Sequence, residues 1–259
     1  MIKNLSKKNY SKKSVETFYT KIQIKAEKDS NSGNEPYQYK EFNRYFYENL
    51  RKKFKKNIKI LDAGCGFFGG FLPFLYKNNY KRLYACDINT DTIKNLKKNY
   101  KFINVSQASC LKMPYKNSEF DFTICYGVIH HTHNYKLALK ELNRVTKKNG
   151  YIFIGIYAFY DSIFEYLIKF LRIVGNIIKF NQMFVIAKRW PLFNRFVMDH
   201  TYVPILYLIN RKDLINSSRQ SNWKLIDEFP SKTDFFQKIP IFGKLFTGDG
   251  LLRIFVFKK

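Results

Sequence analysis

Two glycines and two aspartates of this 259-residue chain have the types and spacing of a nucleoside-binding site. Residues 60–66 read I-L-D-A-G-C-G, and Asp87 follows 21 positions after Gly66. Glycine at positions 64 and 66 lets the backbone approach a bound molecule closely and turn tightly into a helix. A carboxylate at the end of the next strand is placed to accept the hydroxyls of a ribose. We therefore expect a nucleoside cofactor here.

The identity of that cofactor depends on Asp62. Gly64, Gly66 and Gly69 also satisfy the G-x-G-x-x-G pattern of dinucleotide-binding turns, which is weak when taken alone. A carboxylate two residues before the first glycine would repel a pyrophosphate, whereas it suits a ligand with an amino group and a sulfonium. The turn therefore favours a sulfonium cofactor over a nicotinamide dinucleotide.

Four segments together carry a family resemblance that covers about residues 57–156. They are I-L-D-A-G-C-G (60–66), Y-A-C-D-I (84–88), A-S-C-L-K-M-P-Y (108–115) and F-D-F-T-I-C-Y-G-V-I-H-H-T-H-N (120–134). The chain resembles the class I S-adenosylmethionine-dependent methyltransferases, in their small-molecule (type 11-like) branch. The resemblance implies that S-adenosylmethionine is the cofactor. It also implies methyl transfer to an oxygen, nitrogen or carbon of a small or lipid-linked acceptor.

The resemblance also implies roles for individual residues at the cofactor site. Asp62 would orient the methionyl amino group, Asp87 would bind the ribose, and Ile88 would lie against the adenine. The remaining cofactor contacts implied are the turn residues Gly64, Cys65 and Gly66, the Ser109 hydroxyl, the Cys110 backbone and the Tyr126 backbone.

Ser109 departs from the family pattern, because relatives commonly carry an acidic residue there to accept the adenine amino group. A hydroxyl can still accept a hydrogen bond, so a differently made adenine contact is expected. This departure keeps a noncatalytic interaction protein with the methyltransferase fold among the alternatives.

His130 and His131 are the candidate catalytic residues. They follow the fourth predicted strand, at the carboxyl edge where open α/β sheets bind ligands. Imidazole titrates near neutrality, so either ring could remove a proton from the acceptor. The alternative is that both rings only hold the loop under the cofactor. His200 and Tyr202 are weaker candidates for acceptor contact.

Strands and helices alternate from residue 58 onward, which predicts an α/β fold with a doubly wound, mainly parallel sheet. The predicted strands are 58–63, 82–87, 102–105, 120–126, 151–157, 223–229 and 251–257. The predicted helices are 37–54, 70–77, 90–100, 136–146 and 211–218. The resemblance implies seven strands in a Rossmann-like sheet that ends in an antiparallel hairpin. We divide the chain into a polar, flexible or partly helical lead (1–35) and a methyltransferase domain (36–259).

A helical insertion, predicted at 158–210, interrupts the alternation after the fifth strand and is expected to act as a lid. Within it Glu165, Lys169, Arg172 and Lys179 recur on one stripe of a helix whose other faces are apolar. Packing on the domain and a homodimer surface are the plainer interpretations. Contact with a lipid-linked substrate or a membrane surface is the more specific one.

Composition sets broader limits. The formal net charge of +26 is compatible with nucleic-acid binding, but the lysines are scattered along the chain, and we favour a codon bias as their explanation. An RNA or tRNA methyltransferase therefore stays an alternative that we do not favour. The four cysteines lack metal-ligand spacing, so we expect no metal site and a reducing, cytoplasmic setting. The first residues lack the apolar core of a secretory signal.

Overall fold

The computed structural model describes residues 3–4, 6, 15, 17–20, 42–157, 163–188, 197–198, 200–230 and 252–259. A seven-stranded sheet forms the centre of this part of the chain. Its strands are β1 (Lys59–Ala63), β2 (Arg82–Asp87), β3 (Ile103–Gln107), β4 (Phe120–Tyr126), β5 (Thr146–Ile156), β6 (Lys224–Pro230) and β7 (Arg253–Lys258).

The strands lie in the order β3-β2-β1-β4-β5-β7-β6. All neighbours are parallel except β7, which runs antiparallel to both β5 and β6. The order reverses between β1 and β4, and parallel α/β sheets bind ligands beside such a switch point. The predicted fold class and the closing hairpin are both confirmed. The long connection predicted between the hairpin strands falls on residues 231–251, outside the described residues.

The described residues include six α-helices with defined bounds, besides shorter helical stretches. They are α1 (Leu72–Lys77), α2 (Thr90–Asn99), α3 (Tyr135–Val145), α4 (Ile163–Ile177), α5 (Phe180–Lys188) and α6 (Arg211–Gln220). Asn89 caps α2, because its side chain accepts the Asp91 and Thr92 amides. Residues 42–53 are also helical, and Phe42, Tyr45, Phe46 and Leu50 are buried along one side, as the spacing predicts. The start of that helix at 37–41 lies outside the described residues.

The helix predicted at 136–146 is confirmed within one residue at each end. The strand predicted to begin at 151 begins five residues earlier, so Gly150, a residue type that often follows a helix, lies within the strand. The helix ends at Val145, and β5 begins at Thr146, so Lys147–Gly150 belong to the strand. The polar residues are held there by the chain end, since Asn149 N–H donates to Lys259 O and Lys259 N–H donates to Gly150 O. Backbone pairing therefore overrides the local helix-stop signal.

Apolar side chains alternate between the two sheet faces, as expected for a sheet covered on both sides. In β1, Ile60 packs into one buried cluster and Leu61 into the other. A third, separate cluster joins α4 and α5 to Phe18 and to residues 197–208. The predicted insertion therefore has a small core of its own, and its function as a lid stays a prediction. No helix in the described ranges has the length and hydropathy needed to cross a bilayer.

Candidate functional site

The glycine turn after β1 is built around backbone that only glycine adopts easily. Gly64 and Gly66 have φ of +82° and +66°, in the left-handed region. A Cβ at Gly64 would lie 2.4 Å from Val128 Cγ2, so the turn after β1 packs directly against the turn after β4. The two segments predicted to contact the cofactor are thus in close contact.

Asp87 closes this turn from the end of β2. Its Oδ2 accepts the Gly66 N–H at 3.0 Å, and its Oδ1 accepts the Asn89 N–H at 2.9 Å. One carboxylate therefore fixes both the glycine turn and the start of α2. Ile88 follows it, and the Ile88 carbonyl accepts from Gln107 at 3.3 Å.

Asp62 lies at the end of β1 and is only 2% exposed. Its Oδ2 accepts the Phe71 N–H at 3.2 Å. Burial raises the pKa of Asp62 to about 7, with a smaller contribution from the charge of Asp87, although the Phe71 hydrogen bond opposes the shift. A buried carboxylate poised near neutrality gains from a cationic partner, and a methionyl amino group would supply one.

The remaining predicted cofactor contacts line the same edge. The Ser109 hydroxyl accepts the Leu111 N–H at 3.2 Å, so it holds its own turn. Cys65 and Cys110 are buried. The Tyr126 ring packs 5.3 Å from the Phe71 ring, beneath the glycine turn. These contacts are local to each residue, and the binding roles of the four residues stay predictions.

The two candidate catalytic histidines differ in tautomer. His131 Nδ1 is 2.9 Å from the Ile205 carbonyl, so Nδ1 carries the hydrogen and the lone pair lies on Nε2. His130 Nδ1 instead accepts the Tyr157 N–H at 3.4 Å, which puts the hydrogen on Nε2. His131 therefore presents an acceptor and His130 a donor. His130 Nε2 is buried and has no partner among the described residues.

Both histidines are buried and neutral. Burial lowers the pKa of His131 to about 4, with Arg172 adding to the shift and the Ile205 hydrogen bond opposing it. Burial also lowers the pKa of His130 well below its ordinary value, and neighbouring His131 and His200 act in the same direction. An unprotonated imidazole at His131 is the form that a general base requires.

Aromatic rings surround the histidines. The Tyr157 ring lies 4.3 Å from His130 and 4.6 Å from His200. The Tyr19 ring lies 5.7 Å from His131. Sequence reasoning named His200 as a weak candidate and missed Tyr157 and Tyr19. Tyr157 follows the carboxyl end of β5 directly, and that position was a usable signal.

The lead segment also reaches the cofactor edge. The Asn89 side chain donates to Thr20 Oγ1 at 2.6 Å, and the Asn89 backbone N–H donates to Asp87. Phe18 packs into the cluster of the insertion. Residues 17–20 therefore contact both the predicted ribose end of the site and the histidine end.

Comparison with known proteins agrees with this geometry. A family profile described as "Methyltransferase domain" matches residues 61–154. The ubiquinone biosynthesis O-methyltransferase of Pelagibacter ubique is 32% identical over 154 residues, which cover 50% of this chain and 61% of that protein. The demethylmenaquinone methyltransferase of Streptomyces avermitilis is 30% identical over 130 residues, covering 48% of this chain and 55% of that protein. The chain thus spans little more than half the length of these curated relatives.

A solved structure extends the likeness beyond the matched residues. The 1,6-didemethyltoxoflavin-N1-methyltransferase of Burkholderia thailandensis, solved with S-adenosylhomocysteine, superposes with a TM-score of 0.62. The alignment covers 100% of this chain and 94% of that one, at 10% identity. At this identity the likeness concerns the fold.

Proposed function

We propose that this chain, which carries a class I S-adenosylmethionine-dependent methyltransferase domain at residues 61–154, methylates a hydroxyl of a small, apolar or lipid-linked acceptor. The observation that carries the proposal is the meeting of two turns at one sheet edge. The glycine turn with Asp62 and Asp87 offers a nucleoside site, and the turn after β4 offers a neutral imidazole, with Gly64 packed on Val128 between them.

The residues present fit S-adenosylmethionine. Asp62 is a buried carboxylate that a cation would stabilise, and Asp87 lies at the second strand end beside the turn that contains Gly64 and Gly66. When bound, the cofactor supplies a methyl group on a positively charged sulfur. Asp62 would hold the amino group, Asp87 the ribose hydroxyls, and Gly64 and Gly66 would allow close backbone approach.

His131 would act on the acceptor. Its Nε2 lone pair would take the proton of the acceptor hydroxyl, so that the oxygen is left with the electron pair that methylation requires. Ile205 O keeps the Nδ1 hydrogen in place, so the ring is held in the tautomer that this step needs. His130 Nε2–H would donate a hydrogen bond to an acceptor oxygen.

An apolar or aromatic acceptor is supported by what surrounds the histidines. Tyr19 and Tyr157 flank them, and two relatives are named a ubiquinone biosynthesis O-methyltransferase and a demethylmenaquinone methyltransferase. Rings of this kind pack favourably on aromatic acceptors. A phenolic hydroxyl also loses its proton more readily than an alkyl one.

Turnover of labelled S-adenosylmethionine with a panel of acceptors tests the proposal. The panel would contain a catechol, a prenylated hydroquinone, an indole amine and a transfer RNA pool. We expect label on the hydroquinone or the catechol, and its loss in His131→Asn. Label only on the transfer RNA would contradict the proposal and support an RNA methyltransferase. Label only on the amine would contradict a hydroxyl acceptor.

A further inference from the structure

The outward side of α4 carries a narrow row of exposed apolar side chains. Tyr166, Phe170, Ile173 and Ile177 follow one another at steps of four, three and four, and each is at least 59% exposed. At 100° per residue these positions fall within about 60° of one another. Val185 and Ile186 on α5 are also exposed. We call these six residues the apolar row.

The row is a local concentration. The described residues include nine exposed large hydrophobic side chains, and the apolar row accounts for six of them. Apolar side chains scattered singly over a surface need no explanation, whereas a contiguous exposed patch marks an interaction site.

Arg172 holds α4 to the later part of the insertion, and this contact fixes the direction of the row. Arg172 donates to the His200 and Val203 carbonyls at 3.0 and 3.1 Å, and Glu165 is buried in an ion pair with Lys169. Ile168 and Leu171 complete the packed side. Two residues of the predicted charged stripe, Glu165 and Arg172, therefore face inward, and apolar residues of α4 face out.

We infer that the apolar row docks the protein on an anionic lipid bilayer. The formal net charge of +26 complements anionic headgroups, whereas two copies of so positive a chain repel one another. Lys179 lies exposed between α4 and α5 and adds a positive charge next to the row in the chain. Apolar side chains on one side of an interfacial helix bury themselves at the boundary of headgroups and acyl chains.

Docking there would leave the acceptor end of the site on the far side of α4 from the bilayer, one helix away. Arg172 joins α4 to the His200 carbonyl, and the His200 ring lies against Tyr157 beside His130. A lipid-linked acceptor could then pass from the bilayer to the histidines. Only this last step rests on the proposed methyl transfer, because the docking itself needs no acceptor.

Sedimentation of the full chain with lipid vesicles tests the inference. The vesicles would be phosphatidylcholine alone, or phosphatidylcholine with about 30% phosphatidylglycerol, at about 50 and 500 mM NaCl. We expect binding to the anionic vesicles that weakens at the higher salt. The double variant Ile173→Gln/Ile177→Gln should lower the partition coefficient at least about tenfold, since two exposed apolar side chains that would enter the bilayer are lost.

The matched control is Leu137→Gln/Ile226→Gln, which removes two exposed apolar side chains from α3 and β6 and should bind vesicles as the wild type does. The inference is overturned if the wild type ignores anionic vesicles, or if the α4 double variant binds them equally well. Sedimentation velocity showing a wild-type dimer that the α4 double variant splits would assign the row to a second copy instead.

Calorimetric titration of S-adenosylhomocysteine into the same preparations separates the two proposals. If the protein binds S-adenosylhomocysteine but not the vesicles, only the proposed docking surface is contradicted. If vesicle binding depends on Ile173 and Ile177 but the protein does not bind S-adenosylhomocysteine, only the proposed methyl transfer is contradicted.

Discussion

Asp87 and Gly66 are joined across two strand ends, because Asp87 Oδ2 accepts the Gly66 N–H at 3.0 Å. The carboxylate that is predicted to bind the ribose also holds the turn that would receive the cofactor. Its other oxygen accepts the Asn89 N–H, so the same side chain anchors α2. Loss of this one group should therefore affect the turn and the binding site together.

The contact between the turns after β1 and β4 predicts unequal effects of two glycine substitutions. Gly127 has a φ of +74°, and the Cβ that Gly127→Ala adds would have no atom within 4 Å. It should lower the free energy of unfolding by about 1–2 kcal/mol, the cost of a left-handed residue. Gly64→Ala adds the clash with Val128 and should cost about 1–3 kcal/mol more.

Urea denaturation of both variants measures the difference. Val128→Ala in the Gly64→Ala background should recover most of the extra loss, because it removes the atoms that the new Cβ meets. Equal destabilisation by the two glycine substitutions would contradict the close packing of these turns.

The raised pKa of Asp62 predicts a pH dependence of stability. The folded protein keeps a proton on Asp62 up to about pH 7, while the unfolded chain releases it near the ordinary value of 3.8. The folded state thus binds more protons in this window, so the free energy of unfolding falls as pH rises from about 4 to 7. Asp62→Asn should remove a decline on the order of 2–4 kcal/mol.

Denaturation of the ligand-free protein at several pH values between 4 and 8 tests this. Asp91→Asn, which removes an exposed carboxylate from the first turn of α2, controls for the loss of one negative charge. A wild-type and an Asp62→Asn protein whose stabilities change in parallel with pH would contradict a protonated Asp62.

The tautomer of His131 predicts that turnover depends more on His131 than on His130. His131→Asn keeps a donor for the Ile205 carbonyl and removes the Nε2 lone pair, so kcat should fall by about 10²–10⁴. His130→Gln keeps a donor near the Nε2 position and should cost less. Initial rates with labelled S-adenosylmethionine measure both effects.

His133→Asn serves as the surface control for these two substitutions, since His133 is exposed. Because the pKa of His131 is about 4, the acid limb of kcat/KM should not reflect His131 until close to that pH. A larger loss in His130→Gln than in His131→Asn would reverse the assignment.

Much of the central sheet could be predicted from local pattern. The bounds of β2 and β4 agree with the structure at both ends, because each is an apolar run that ends in a turn. The start of β5 could not be foreseen. Lys147 and Lys148 lie in the strand only because the chain end pairs beside them, and that contact joins residues more than a hundred positions apart.

The site could be predicted less fully than the sheet. Asp62 and Asp87 were found by their spacing, since strand ends meet at one edge of a parallel sheet. Arg172 was placed on the correct helical stripe, but its partners are backbone carbonyls of residues 200 and 203, which carry no sequence signal. The tautomers of His130 and His131 likewise depend on the Tyr157 amide and the Ile205 carbonyl.

Calorimetric titration of S-adenosylhomocysteine tests the central claim most directly. We expect the wild type and Asp91→Asn to bind it with similar affinity, and Asp87→Asn to bind at least about tenfold more weakly, since a charge-assisted contact is lost. NAD should give no signal in the same experiment. Absence of S-adenosylhomocysteine binding at hundreds of micromolar, or equal affinity in Asp87→Asn, would contradict a methyl-donor site at this turn.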